Sequence, residues 1–144
     1  MTDVIDQLVE DLEFEEGWRA QPYQDHLGFW TIGYGFLIDP RKSVALPKVV
    51  GQHWLLFEVS RRMDELARRW PPFRDQPEDV RRALGNMAYQ MGVAGVLKFR
   101  HMLQALEEGD REQAAGEALD STWAKQTPAR ANRVADLIRG KNED

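Results

Sequence analysis

Apolar residues at the start of the chain recur with a helical period. Val4, Ile5, Leu8, Val9 and Leu12 are spaced by threes and fours or lie side by side, so they share one helix face. Thr2 stands where a capping hydroxyl belongs and Gly17 is a natural terminator, so the spacing predicts a helix ending beside Glu16. From Trp18 to Ile38 the texture changes to aromatic and β-branched residues punctuated by Pro22, Gly28, Gly33 and Gly35. That composition reads as short antiparallel strands joined by tight turns. Pro22 cannot donate to a ladder, which puts its strand at a sheet edge.

After Asp39-Pro40 the helical pattern resumes. Pro47 suits a first turn, and Val49, Leu56, Val59, Met63, Leu66 and Trp70 form a stripe along a helix of about 49–70 that Pro71-Pro72 stops. Such a helix reaches roughly 30 Å. Gly51 costs about 1 kcal/mol relative to Ala in a helix interior, which favours a later start. Beyond Pro72 the pattern predicts helices over Pro77 to Met91, Ala94 to Glu108, Asp110 to Leu119, a short piece near Trp123, and Pro128 to Arg139. Gly92 and Gly109 can close helices, Asp110 with Gln113 resembles a capping box, and Thr127 offers a capping hydroxyl before Pro128. The Lys141 to Asp144 tail is expected to fray, and no internal repeat is present. The fold class is therefore α+β and mostly helical, with a small antiparallel sheet near the N-terminus.

Composition narrows the function. At 144 residues the chain fits one domain, or two small lobes sharing a core. The formal charge of −5 argues against the positive field that nucleic-acid binding requires. Cysteine is absent, which excludes disulfides, thiol nucleophiles and thiolate metal sites. The three histidines, His26, His53 and His101, lack metal-binding spacing, so neither a metal nor another cofactor is expected. Met1 to Glu10 lacks the basic start and apolar run of an export signal, and no stretch approaches the roughly eighteen apolar residues of a membrane span. The chain is expected to be made in the cytosol, without membrane insertion.

The candidate chemistry lies between Glu16 and Gly35. Glu16 and Asp25 flank a predicted strand, and Thr31-Ile32-Gly33-Tyr34-Gly35 follows, so a short strand folding back can bring two carboxylates and a hydroxyl together. Glycosidic cleavage needs one carboxyl group to protonate the departing oxygen and a second carboxylate to activate water or stabilise the cationic sugar. Glu16 sits near a predicted helix C-terminus and close to Glu13 and Glu15, both of which favour its protonated form. Asp25, in a polar turn next to His26, is suited to stay ionised, with the Thr31 hydroxyl holding a water beside it. Taken singly, each acid among 24 acidic residues reads as a solvated surface group, and Gly33-Tyr34-Gly35 as a tight turn rather than a phosphate cradle. Only the combination carries the catalytic reading.

The run from Glu16 to Gly35 resembles the catalytic segment of the phage T4-type lysozymes (endolysins): Glu, Asp nine positions later, and Thr six further on in a Thr-Ile-Gly-x-Gly turn. Similarity returns over Val80-Arg81-Arg82-Ala83 with Asn86 to Gly92, and again from Trp123 to Val134. The resemblance implies a two-lobed fold: an α+β lobe of about 14–48, a connecting helix of about 49–70, and a helical lobe of about 71–144 packed with helix 1–16, a glycan cleft lying between the lobes. It implies Glu16 as proton donor and Asp25 with Thr31 at the nucleophilic water. The reaction would be inverting hydrolysis of the β-1,4 bond between N-acetylmuramic acid and N-acetylglucosamine. By the same likeness Arg130 pairs with the catalytic Glu, an interaction that opposes the two effects favouring its protonated form, and Tyr89, Gln90 and Leu37 contact substrate. Met87, Met91 and Phe99 read as core. The implied partner is bacterial peptidoglycan, met by a monomer that reaches the wall from the host cytoplasm through a separate holin.

Two features depart from the family pattern. Phe36 stands where members commonly place His after the Gly-x-Gly turn, so that imidazole's hydrogen bond is missing, at an expected cost in rate or stability. The negative charge departs from the often strongly basic T4-type enzymes, and predicts weaker, salt-sensitive attachment to an anionic wall. Two other readings stay open on the residues alone. One is a silent glycan-binding module that keeps the cleft, and the other a helical adaptor that uses its apolar stripes to recruit another protein.

Overall fold

A computed structural model describes residues 2–140, apart from the side chain of Thr2. Among these residues the order is α1 (Thr2–Glu16), β1 (Arg19–Gln24), β2 (Trp30–Gly33), β3 (Phe36–Leu37), α2 (Lys48–Arg69), α3 (Glu78–Leu97), α4 (Arg100–Glu107), α5 (Arg111–Leu119), α6 (Thr122–Gln126) and α7 (Pro128–Arg139). Short 3-10 turns occupy Pro40–Lys42 and Pro71–Asp75. The mostly helical α+β class read from the sequence is the class observed. The expected capping by the Thr2 side chain and the fraying of Lys141 to Asp144 fall outside the described residues. Contacts divide the chain into two compact units, Met1–Gly51 and Gln52–Asp144.

In the first unit, α1 ends where Gly17 takes a left-handed conformation (φ +70°) and donates its N–H to the Glu13 carbonyl. That conformation is cheap only for glycine, which fixes the end of α1 beside Glu16. Among the described residues of this unit nothing covers the Val4, Ile5, Leu8, Val9 and Leu12 stripe, which stands exposed. The three strands pair antiparallel in the order β1-β2-β3, leaving β1 and its Pro22 at an edge as expected. The β1–β2 register runs Arg19↔Gly33, Tyr23↔Thr31 and Gln24↔Trp30, with an irregularity between Arg19 and Tyr23. Three residues of β1 (Ala20, Gln21 and Pro22) oppose one of β2 (Ile32) there, and the bulge accommodates Pro22 without a ladder donor.

α2 begins at Lys48, so Gly51 does not delay it. Val50 and Gly51 donate to the Pro47 carbonyl, which anchors the first turn through the proline predicted to sit there. In the second unit Leu66, Leu84, Met87, Met102, Val134 and Ile138 are fully buried. Met87 belongs to this core, and Met91 and Phe99 pack against it, in line with their reading as core residues. Asp110 accepts from the Gln113 N–H and caps α5. Two details differ from the sequence reading. The segment expected as one helix over Ala94 to Glu108 breaks at Lys98-Phe99, and its first turns merge with α3 across Gly92, whose φ of +82° makes the kink. Thr127 donates its hydroxyl back to the Trp123 carbonyl at the end of α6, and its oxygen does not accept from an N–H of α7, which has no side-chain cap.

Candidate active site

The sheet of the first unit gathers the predicted chemical groups. Glu16 is the last residue of α1, and the Arg19↔Gly33 pairing folds the chain just after it against the end of β2. Its Oε1 lies 2.5 Å from where a Cβ on Gly35 would stand. Gly35 has φ +78°, so the absence of a side chain there is required twice, for the turn and for the close approach of the carboxylate. Gly33 (φ +71°) is enclosed the same way: a Cβ would meet the Phe36 ring at 2.7 Å and Trp18 at 3.4 Å. Trp18, Tyr34 and Phe36 form an aromatic run beside this turn, with ring centroids 5.0 and 6.3 Å apart. Phe36 thus serves as a packing group of this turn.

Asp25 heads the turn between β1 and β2. One carboxylate oxygen, Oδ1, accepts the N–H groups of Leu27 and Phe29, both at 2.9 Å, while its backbone N–H donates to the Phe29 carbonyl and its carbonyl accepts from Gly28. Aspartate is suited to such a turn because its short side chain reaches the backbone two and four residues on. The N–H of Phe29, with those of Leu27 and Gly28 and the nearby His26, holds the Asp25 carboxyl below its ordinary range against the opposing effect of partial burial. The group is a carboxylate at neutral pH, as the sequence suggested, although backbone donors rather than a neighbouring charge are the main cause.

Thr31 is 5% exposed and pairs with Tyr23 on one side and Leu37 on the other. Its hydroxyl donates to the Phe29 carbonyl at 3.0 Å, since a carbonyl can only accept. That commitment leaves the hydroxyl's lone pairs as its remaining hydrogen-bonding capacity, suited to accepting from a water. The turn therefore brings Asp25 and Thr31 together on one residue, Phe29, and places Leu37 directly opposite Thr31.

Tyr89, Gln90 and Arg130 belong to the second unit. Tyr89 is 45% exposed on α3, with the Arg62 guanidinium 5.2 Å from its ring centre. Arg62 in turn pairs with Glu58. Gln90 accepts from the Trp123 indole N–H at 2.9 Å, which orients its amide. Arg130 donates from Nε to the Asn86 side chain at 2.8 Å and from Nη2 to the Asn86 carbonyl. Among the described residues no cluster of His, Asp and Glu is arranged to hold a metal, and no helix is long and apolar enough to cross a membrane.

Sequence reasoning missed Asp39 and Arg41. Asp39 is fully buried and accepts from the Trp30 N–H and the Arg41 N–H, and it pairs with the Arg41 guanidinium at 2.7 Å. Hydrogen bonds from Arg41 hold its carboxyl far below the ordinary range, with the Trp30 N–H adding to the effect. The Asp-Pro pair was read only as a boundary between elements. Its sequence signal was an acceptor just ahead of a proline-started turn, which here caps the Pro40–Lys42 turn through the Arg41 N–H.

A helical α+β chain whose small sheet presents a helix-end Glu, a turn Asp and a strand Thr has the organisation of a lysozyme-class glycoside hydrolase. The profile of the family described as phage lysozyme matches residues 13–143, and the chain belongs to that family of peptidoglycan hydrolases. It is 30% identical to probable T4-type lysozyme 1 of Dictyostelium discoideum, an alignment covering 94% of this chain and 95% of that protein. It is also 35% identical to the pre-baseplate central spike protein Gp5 of Enterobacteria phage T4, covering 91% of this chain but 27% of the spike protein. A further relative, peptidoglycan hydrolase gp36 of Pseudomonas phage phiKMV, is 26% identical over 81% of this chain and 13% of its own length.

Proposed function

We propose that this chain is an N-acetylmuramidase that cleaves the β-1,4 bond between N-acetylmuramic acid and N-acetylglucosamine in bacterial peptidoglycan by general acid/base catalysis, with inversion. The observation that carries the reading is the shared hold of Phe29 on Asp25 and Thr31: an ionised carboxylate and a hydroxyl with free lone pairs stand together, which is what positioning an attacking water requires. Glu16 is the proton donor to the leaving oxygen, and Asp25 the base. Inversion requires about 6.5 to 9.5 Å between the two carboxyl groups, which leaves room for the water.

Leu37, Tyr89 and Gln90 are assigned to substrate contact and Arg130 to the support of Glu16, on the strength of their match to the family pattern. The same pattern supports an α+β lobe of about 14–48, a connecting helix of about 49–70 and a helical lobe of about 71–144. It also supports a monomer that reaches the wall from the host cytoplasm through a holin.

Following the first product of a soluble peptidoglycan fragment by proton NMR tests the proposal, with the α-anomer expected to form first. Initial release of the β-anomer contradicts inversion, and absence of cleavage with retained binding favours the silent glycan-binding module. Charge makes a second prediction. Because a net charge of −5 repels an anionic wall, lysis of permeabilised cells should accelerate as moderate salt screens that repulsion. A flat response across the same range removes charge as a determinant of attachment.

A further inference from the structure

We propose that Asp39 and Arg41 are positioning residues for the hydrolytic centre, gripping from outside the two peptide groups flanking Phe29, whose inner ends hold Asp25 and Thr31. This rests on the assignment of Asp25 and Thr31 above.

The argument follows the atoms of two peptide bonds. In the Gly28-Phe29 peptide, the N–H donates to Asp25 Oδ1 while the carbonyl of Gly28 accepts from Arg41 Nη2 at 2.9 Å. In the Phe29-Trp30 peptide, the carbonyl accepts the Thr31 hydroxyl and the Asp25 N–H, while the N–H of Trp30 donates to Asp39 Oδ2 at 2.9 Å. Each peptide thus has one end on a reacting residue and the other on the Asp39–Arg41 pair. The pair is itself rigid: Arg41 donates Nε to Oδ1 and Nη2 to Oδ2 of Asp39, a bidentate arrangement with a buried partner. Arg41 also lies over the Phe29 ring, 4.9 Å from its centre, and Lys42 lies 4.6 Å from the same centre.

Two consequences follow from charge-assisted bonding. A guanidinium on the Gly28 carbonyl polarises that peptide and makes its N–H a stronger donor to Asp25, favouring the carboxylate. A buried carboxylate on the Trp30 N–H enriches the Phe29 carbonyl and makes it a stronger acceptor for the Thr31 proton, which keeps the hydroxyl's lone pairs turned toward a water. The titratable and charged groups around Asp25 are His26 in its own turn, and Arg41 and Lys42 across Phe29. Of these, Arg41 alone among the described residues bonds the Gly28-Phe29 peptide, one of the two whose N–H donates to Asp25 Oδ1.

Arg41→Gln removes the guanidinium at its exposed end, the Arg41 side chain being 63% exposed, while the buried Asp39 carboxylate keeps the Trp30 and residue-41 N–H groups as donors. Because the charge pair is lost, circular dichroism first establishes that the variant is folded. The readout is a carbon-13 titration of the Asp25 carboxyl, alongside the pH profile of kcat/KM. Weakening the Phe29 donor raises the Asp25 pKa. Activity requires Asp25 ionised and is lost as pH falls through that pKa, so the acid limb moves to higher pH. A shift of about half a unit to one unit is expected in both measurements, with Arg41→Lys restoring part of it. Asp39→Asn, which keeps an acceptor for Trp30 but loses the charge pair, should shift the limb in the same direction. An unmoved Asp25 titration in a folded Arg41→Gln variant overturns the proposal and shows the pair to be structural only. A titration that moves while the rate profile stays put upholds the grip on Asp25 and refutes Asp25 as the base.

Discussion

Glu16→Gln is expected to lower the rate of glycan cleavage by about two to four orders of magnitude while the protein remains folded. The amide preserves the shape of the side chain but cannot deliver a proton to the leaving oxygen. The Glu16 side chain is exposed and has no hydrogen bond or ion pair within the described residues of its own unit, so the effect on that unit's stability should stay within about 0.5 kcal/mol. Release of reducing ends, with circular dichroism to establish folding, makes the measurement. A folded variant retaining a rate close to that of the parent removes Glu16 from the chemistry.

The second large effect comes from a residue without a side chain. Gly35→Ala places a Cβ 2.5 Å from the Glu16 carboxylate oxygen in a backbone conformation of φ +78°, so the carboxylate must move. Misplacing a reacting group by about 1 Å can cost roughly a hundredfold in rate. Backbone strain alone costs about 1 to 3 kcal/mol, so the variant needs a control that separates strain from displacement. Gly109→Ala provides one: Gly109 has φ +79°, and a Cβ there meets nothing within 4 Å. Comparable losses of Tm in the two variants, with lost activity confined to Gly35→Ala, are the expected result. Equal activity in both contradicts the close approach of Glu16 to that turn.

Much of this unit was legible because its determinants are local. Gly17 ends α1 by the left-handed conformation that only glycine adopts cheaply, and Pro22 marks an edge because it lacks a donor. The Asp25 turn was readable for the same reason, its hydrogen bonds reaching no further than Phe29. Asp39 and Arg41 were not, since their decisive partners, Trp30 and Gly28, lie nine and thirteen residues away. No periodicity or turn preference encodes such a contact. The break at Lys98-Phe99 was hidden for another reason. Leu97, Lys98, Phe99 and Arg100 contain no glycine or proline, and helix propensity there is overridden by packing, with Phe99 seated edge-on to Trp123 at 6.3 Å. Likewise the Thr127 hydroxyl had two uses, donating back to the Trp123 carbonyl or accepting from an N–H of α7, and the sequence does not state which is made.

The central claim is that Asp25 acts as a carboxylate on the attacking water, and Asp25→Asn assayed on purified peptidoglycan addresses it most directly. The Asn side chain can still accept from Leu27 and Phe29, so the turn is retained while the negative charge is lost. Reducing-end release should fall at least a hundredfold in a variant whose Tm and circular dichroism match those of the parent. Undiminished release from that folded variant would show that the water is activated elsewhere.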